Sequence, residues 1–243
     1  MAKKGYERNL SRRDLAILDF VARYRVGTEG MLRKVCFSPE DRIENVRRVL
    51  FRLEKRGLLS RFECGRTFTY FVMTRRGLGV LGLPRRTPRP LTEQSLPVQI
   101  AVASYCVDHG VRRLTNSEFR DLYPELWRPG LQSSNYVLVE SDEGLKLSML
   151  IVDRGGAARR IQARVRRIVA QRSGLTKFVE LMRARRFRVV VLTGLPEQQA
   201  KIDRQLGRKK NGTVEVVTAR VPSHAEILTK RRLDVSILSR PNR

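Results

Sequence analysis

Residues 44–61 read ENVRRVLFRLEKRGLLSR. Val46, Val49, Leu50 and Leu53 recur at three- and four-residue spacing and form one apolar stripe of a helix. Arg47, Arg48, Arg52, Lys55 and Arg56 fall around the rest of its circumference. Gly57 ends the pattern, and a β-rich run starts at once. Such a helix is either a solvated basic face that happens to precede a strand, or an element built to lie along a polyanion. The residues on either side decide between the two.

Upstream, SRRDLAILDFVARYR opens with Ser11 as an N-cap and Asp14 three residues later, the acidic half of a capping box. Leu15, Leu18, Val21 and Ala22 share a face, widened by Ile17 and Tyr24, which predicts the first helix. Gly27 and Thr28 then break the chain. Thr28 is placed to cap a short second helix, EGMLRKVCF, expected to bury Met31, Leu32 and Val35. Ser38-Pro39 reads as an N-cap with proline at the first helical position. The third helix is therefore expected from Pro39 to about Arg56, with Ile43, Val46, Val49, Leu50 and Leu53 turned toward the first two helices.

After Gly57 come two β-rich arms, LLSRFE and FTYFVMT, flanking Cys64-Gly65-Arg66-Thr67, the pattern of a hairpin. Three short helices and a hairpin follow the order of a winged helix-turn-helix, whose third helix enters the major groove. On that reading Arg42, Asn45, Arg47 and Arg48 reach base edges, with Glu40 and Asp41 at the very start. Arginine can fork to guanine and asparagine to adenine. Arg52, Lys55 and Arg56 lie later on the helix and suit phosphates. Arg66, at the hairpin tip, is the expected wing contact. The competing reading is a three-helix module for protein contact with a solvated basic face.

The charge favours nucleic acid. Fifty Lys+Arg against 24 Asp+Glu leave a net +26 over 243 residues, spread along the whole chain rather than gathered in a tail. The 41% apolar content is enough for a packed core, and the length suits one large domain or two small ones. No apolar run is long enough to cross a membrane, and MAKKGYERNL lacks the apolar stretch of a signal peptide. No long amphipathic stripe with an aromatic edge argues for a membrane surface. Cys36, Cys64 and Cys106 form no CxxC pair, and Cys36 sits among apolar neighbours as a core residue would. Two histidines, His109 and His224, are too few for an ordinary zinc site. No cofactor or metal is expected, and the location expected is the cytoplasm, on the nucleoid.

Three stretches, LSRRDLAILDFVARYRVGTEGMLRKVCF, VRRVLFRLEKRGLLSR and YFVMTRRGLGVLG, resemble the replication-relaxation family over residues 10–82. Members of that family are associated with plasmids and integrative conjugative elements and are often described as mobilisation protein C-like. The resemblance implies a DNA-binding protein of a mobile element.

The rest of the chain divides into a linker and a second domain. Residues 82–97, GLPRRTPRPLTEQSLP, hold four prolines and little periodicity; they read as a linker or a strap along the first domain. The expected organisation is a winged helix-turn-helix over 1–82, a Pro-rich linker over 83–97 and an α/β domain over 98–243. VQIAVASYCVDHG is an apolar helix ending at Gly110, with His109 in its last turn, where a cation complements the helix dipole. SEFRDLYPELWRPG is a short polar helix and a turn, with Trp127 packing at the domain base.

From residue 133, SNYVLVES and LKLSMLIVD read as strands joined by DEG. A basic helical region follows over 157–186, broken near Arg172-Ser173-Gly174. FRVVVLTG is a buried strand, EQQAKIDRQLGRKK a helix and TVEVVTARV another strand. The fold class is therefore α+β, a winged helix followed by a mixed α/β domain. That domain resembles a restriction-endonuclease-like core, as the second half of the replication-relaxation family does.

An active nuclease of that type needs a Pro-Asp before the hairpin and an acid-x-Lys on the second strand, to hold divalent metal. Those positions fall here near Ser134-Asn135 and at about Ile151. Asp153 alone is a poor metal holder, and Asp142 and Glu143 fall at the hairpin turn. A degenerate site and no catalysis are expected. Positive charge replaces the acids: residues 157–188 hold eleven Lys+Arg and one acid, Glu180. Arg160, Arg164 and Arg167 share one side of a helix and form a candidate second DNA surface. A partner groove with an acidic lining is the rival reading for them.

The leading expectation is a sequence-specific double-stranded DNA-binding protein of a mobile element, accessory to mobilisation or replication, or a transcriptional regulator. The alternatives are a metal-dependent nickase and a scaffold that brings a relaxase or replication protein to DNA. A homodimer fits a protein that reads inverted repeats.

Overall fold

The computed structural model describes residues 10–64, 68–84, 87–128, 131, 135–141, 144–155, 157–207, 214–223 and 226. The chain divides into two compact units at Ala103–Ser104. That division falls inside a helix, beyond the 83–97 stretch read as the linker.

The first unit is built on three helices, α1 (Arg12–Tyr24), α2 (Glu29–Cys36) and α3 (Ile43–Lys55). The capping box at α1 is complete: Asp14 N donates to Ser11 Oγ at 3.1 Å, and Ser11 N donates to Asp14 Oδ2 at 3.0 Å. Thr28 caps α2 by accepting from Met31 N at 3.3 Å. Ile17, Leu18, Val21 and Tyr24 of α1 pack into the core that also buries Met31, Leu32, Val46, Leu50 and Leu53.

Three expectations need correction here. Leu15 and Val35 lie at the edges of their stripes, where no neighbouring element covers them, and are 40% and 52% exposed. Pro39 does not open the third helix. Asp41 accepts from Ser38 N at 3.1 Å and folds residues 38–41 into a turn, so α3 starts at Ile43 with Arg42 as its N-cap.

Gly57, at φ +65°, turns the chain out of α3 into β1 (Leu59–Cys64), which pairs antiparallel with β2 (Phe68–Met73). An antiparallel bridge between Gly27 and Phe71 adds a short third rung beside the hairpin, with hydrogen bonds of 3.0 and 2.8 Å. α4 (Arg75–Val80) follows, capped by Thr74. A Cβ at Gly77 would lie 2.2 Å from the Leu58 carbonyl oxygen, so only glycine permits α4 to close on the start of β1. Residues 87–95 form no helix or strand and run as a strap, tied by Leu91 N donating to Tyr70 Oη at 3.0 Å.

α5 (Leu96–Asp108) carries the chain into the second unit and ends at Gly110, φ +62°. α6 (Asn116–Leu122), with a capping box at Thr115 and Glu118, leads into a four-stranded sheet. Its strands are β3 (Asn135–Ser141), β4 (Gly144–Val152), β5 (Phe187–Thr193) and β6 (Glu215–Arg220), in that spatial order. β3 and β4 are an antiparallel hairpin, and β5 and β6 then add in parallel. The parallel crossovers are α7 (Ala158–Ala170) with α8 (Thr176–Arg183), then α9 (Pro196–Gly207). The break between α7 and α8 falls where the sequence placed it.

Side chains alternate across this sheet. Leu147, Met149 and Ile151 join Phe187, Val189 and Val191 against Ile161, Val165, Ile168 and Phe178 of the helices. Trp127 is half-buried against the same core, as expected. The opposite face carries a polar line: Lys146 Nζ donates to Glu215 Oε2 at 3.1 Å, and Arg188 Nε to Ser148 Oγ at 2.8 Å. The molecule is thus α+β with two sheets, and no helix among its described residues is long and apolar enough to cross a membrane.

Candidate nucleic-acid interface

On α3, Val46, Leu50 and Leu53 are buried, and the centre of the opposite face holds Glu44, Arg48, Phe51 and Lys55. Arg48 is exposed and makes no ion pair or hydrogen bond among the described residues. Phe51 is 57% exposed, and the Lys55 ammonium stands over its ring at 5.0 Å.

The flanks of α3 are tied down. Toward α2, Arg47 Nε donates to Glu29 Oε2 at 2.9 Å. Toward α1, Arg52 Nη2 donates to Asp14 Oδ1 at 2.6 Å. Asp14 is 1% exposed, and its other oxygen already closes the α1 capping box. Arg52 therefore answers a buried carboxylate, where sequence reading gave it to phosphate. Asn45 is half-buried and donates from Nδ2 to Asp41 Oδ1 at 3.4 Å, a long contact that leaves it able to turn outward. Arg42 is exposed at the helix start, with no side-chain cap. Arg66 lies outside the described residues.

Phe51 was missed by sequence reading because an aromatic beside a leucine stripe reads as core. The i, i+3 and i, i+4 spacing of Arg48, Phe51 and Lys55, offset from Val46, Leu50 and Leu53, was the available signal.

In the second unit the basic side chains sort into distinct kinds. Arg172 is 3% exposed and purely internal: Nε and Nη2 reach Tyr136 Oη at 2.9 and 2.8 Å, and Nη1 the Ile168 carbonyl at 3.0 Å. Arg188 hydrogen-bonds Ser148 on the sheet, and it also bonds Tyr105, whose hydroxyl pKa is raised by burial. Lys177 pairs with Glu180 at 3.0 Å. Arg164 donates from Nη1 to the Val152 carbonyl at 3.3 Å; partial burial, then the charges of Arg154 and Arg167, lower its pKa. Arg159, Arg160, Arg166 and Arg167 are exposed on α7 and have no ion pair or hydrogen-bonded side-chain partner among the described residues. Arg160 and Arg167 thus stand free on one side of the helix, with Arg164 between them held at the end of β4.

The positions where a nuclease would carry acids are neutral. Asn135 is paired with Leu150 at the start of the hairpin, and Arg113 Nη1 donates to its Oδ1 at 3.2 Å. Ile151 is 1% exposed in the apolar core. Asp153 accepts from Gly155 N at 3.0 Å and shapes the turn after β4. Among the described residues no three His, Cys, Asp or Glu side chains group to hold a metal ion. Ser134, Asp142, Glu143 and His224 lie outside the described residues. His109 stacks on Tyr105 at 4.2 Å, and its Nδ1 lies 3.0 Å from the Tyr105 carbonyl oxygen, a role within α5 and its C-terminal turn.

Compared with family models, curated proteins and solved structures, the chain matches none.

Proposed function

We propose that this chain is a non-enzymatic protein that binds double-stranded DNA by sequence, with its first unit acting as a winged helix-turn-helix. The observation that carries the reading is the outward face of α3. Arg48 and Lys55 stand on it in solvent, while the arginines on its two flanks are held by Glu29 and Asp14. A base-reading helix must keep its register in the groove, and pairs on both flanks hold it without occupying the face that would meet DNA. The Gly27–Phe71 bridge supports the same reading, since it places a short strand between the first two helices, next to the hairpin. The net charge of +26 supplies the sequence-independent attraction.

The second unit contributes phosphate contacts through Arg160, Arg167 and their neighbours on α7, on a nuclease-like scaffold without the acids of a metal site. The resemblance of residues 10–82 to the replication-relaxation family places this binding in a mobile element, in mobilisation, replication or control of the element's own genes.

The experiment is selection of duplexes from a random library by the full chain, followed by cleavage assays with Mg²⁺ or Mn²⁺ on the selected site. A shared motif with no cleavage is the expected result. Recovery of random sequence overturns the specific reading. Metal-dependent nicking that vanishes in Asp153→Ala protein overturns the non-enzymatic one.

A further inference from the structure

A single exposed apolar side chain on a protein surface is ordinary. Phe51 is informative because of its position. It lies one turn beyond Arg48 and one turn before Lys55, in the middle of the outward face of α3. Every other exposed side chain of that helix, Glu44, Arg47, Arg48, Arg52 and Lys55, is charged. An occupant of this face must therefore offer a small apolar surface inside a strongly anionic frame. The Lys55 ammonium over the ring at 5.0 Å restrains the ring and adds a positive charge beside it.

We propose that Phe51 reads the 5-methyl group of a thymine in the major groove, next to a guanine read by Arg48. This deepens the proposed function and rests on it. The thymine methyl is the apolar group that the major groove displays among hydrogen-bonding edges and phosphates, and phenylalanine is one of the side chains that contacts it. The spacing fits neighbouring base pairs. Three residues of helix rise about 4.5 Å, and successive base pairs lie about 3.4 Å apart. Arg48 and Phe51 therefore face adjacent steps, and the selected site contains a guanine and a thymine on neighbouring base pairs.

The charge of the face decides against an apolar protein groove as the occupant. Docking Phe51 into one would bring Arg48 and Lys55 to its rim without a matching anion. A second copy of the chain would set these cations against their own duplicates across a two-fold axis.

The test uses the full chain and the duplex recovered by selection from a random library. Each thymine of the site is replaced in turn by 2′-deoxyuridine, which removes only the methyl group. One such replacement is expected to weaken wild-type binding by about fourfold, the worth of one buried methyl. Phe51→Ala protein should bind the thymine and deoxyuridine duplexes equally, with unchanged affinity for random duplex. A 5-methylcytosine duplex with the methyl at the same groove position should recover part of the loss for wild type alone.

A recovered motif indifferent to every deoxyuridine replacement overturns the role of Phe51 and leaves sequence-specific binding standing. Recovery of no motif overturns both. A shift of sedimentation from dimer to monomer in Phe51→Ala protein, with DNA discrimination unchanged, assigns the face to a second copy and also overturns the proposal.

Discussion

Replacing Arg52 with alanine separates two roles that this side chain cannot fill together. Its Nη2 sits 2.6 Å from Asp14 Oδ1, and the Asp14 side chain is 2% exposed while that of Arg52 is 51% exposed. Removing one partner of a fully buried pair costs about 3–5 kcal/mol, because a charge is left in low dielectric. Here the guanidinium is half in water, so the pair is partly screened, and about 1–3 kcal/mol is expected. For a domain of this size each kcal/mol lowers the melting midpoint by about 4–8 °C. Thermal unfolding of the full chain, with hydrogen exchange followed on peptides from α1 and α3, would register that loss where the pair lies. The salt dependence of DNA binding should keep its slope. If Arg52→Ala protein melts like wild type and instead loses about 0.9 from the slope of log K against log salt, the side chain is a phosphate contact and the clamp reasoning is refuted.

Tyr136→Phe removes the hydroxyl that accepts two bonds from the buried Arg172 guanidinium. A loss of about 1.5–3 kcal/mol is expected in denaturant unfolding, and an unchanged midpoint would remove Arg172 from the account of the core. The Arg160/Arg164/Arg167→Ala variant should flatten the salt slope on a long duplex by about two, one unit for each exposed arginine lost, with Arg164 contributing little. An unchanged slope would place this face against solvent or a protein. Burial, then Asp19, raise the Cys36 thiol from 9.0 to about 11, against the opposing charge of Arg13. Iodoacetamide labelling of Cys36 should therefore still climb above pH 9 and level off only near 11. The stability linked to this thiol is full below pH 9 and fades as pH rises toward 11. A plateau at pH 9 would show an ordinary, solvated thiol.

What the sequence made legible was local. Ser11 with Asp14, Thr28 with Met31, and the break after Arg172 depend on groups three or four residues apart, so spacing alone exposes them. The α/β order of the second unit was readable because β-branched runs alternate with helical periods. What escaped depends on distant neighbours. Periodicity defines a stripe but not which of its edges another element covers, so Leu15 and Val35 were placed in the core. Arg47 meets Glu29 and Arg52 meets Asp14 across 18 and 38 residues, and no local rule selects those acids. Pro39 followed the rule for a first helical residue, and a competing turn through Asp41 won.

These long-range pairs change how the basic composition bears on function. Charge counting treats each arginine of α3 as equally available to DNA. The two flanking arginines are held by acids of α1 and α2, so they fix the helix that would enter the groove instead of adding contacts to it. A helix fixed in this way loses less conformational freedom on binding, and its discrimination concentrates in the few side chains left bare. Arg48→Ala should then cost specific binding by about 1–3 kcal/mol while leaving stability intact. Arg47→Ala should act mainly through the seating of α3 on α2, so restoring that seating with Lys at position 47 should restore most of the binding. Lysine cannot fork to guanine as arginine does. Full rescue by Arg47→Lys, together with no rescue by Arg48→Lys, is the pattern that a clamped flank and a reading face require.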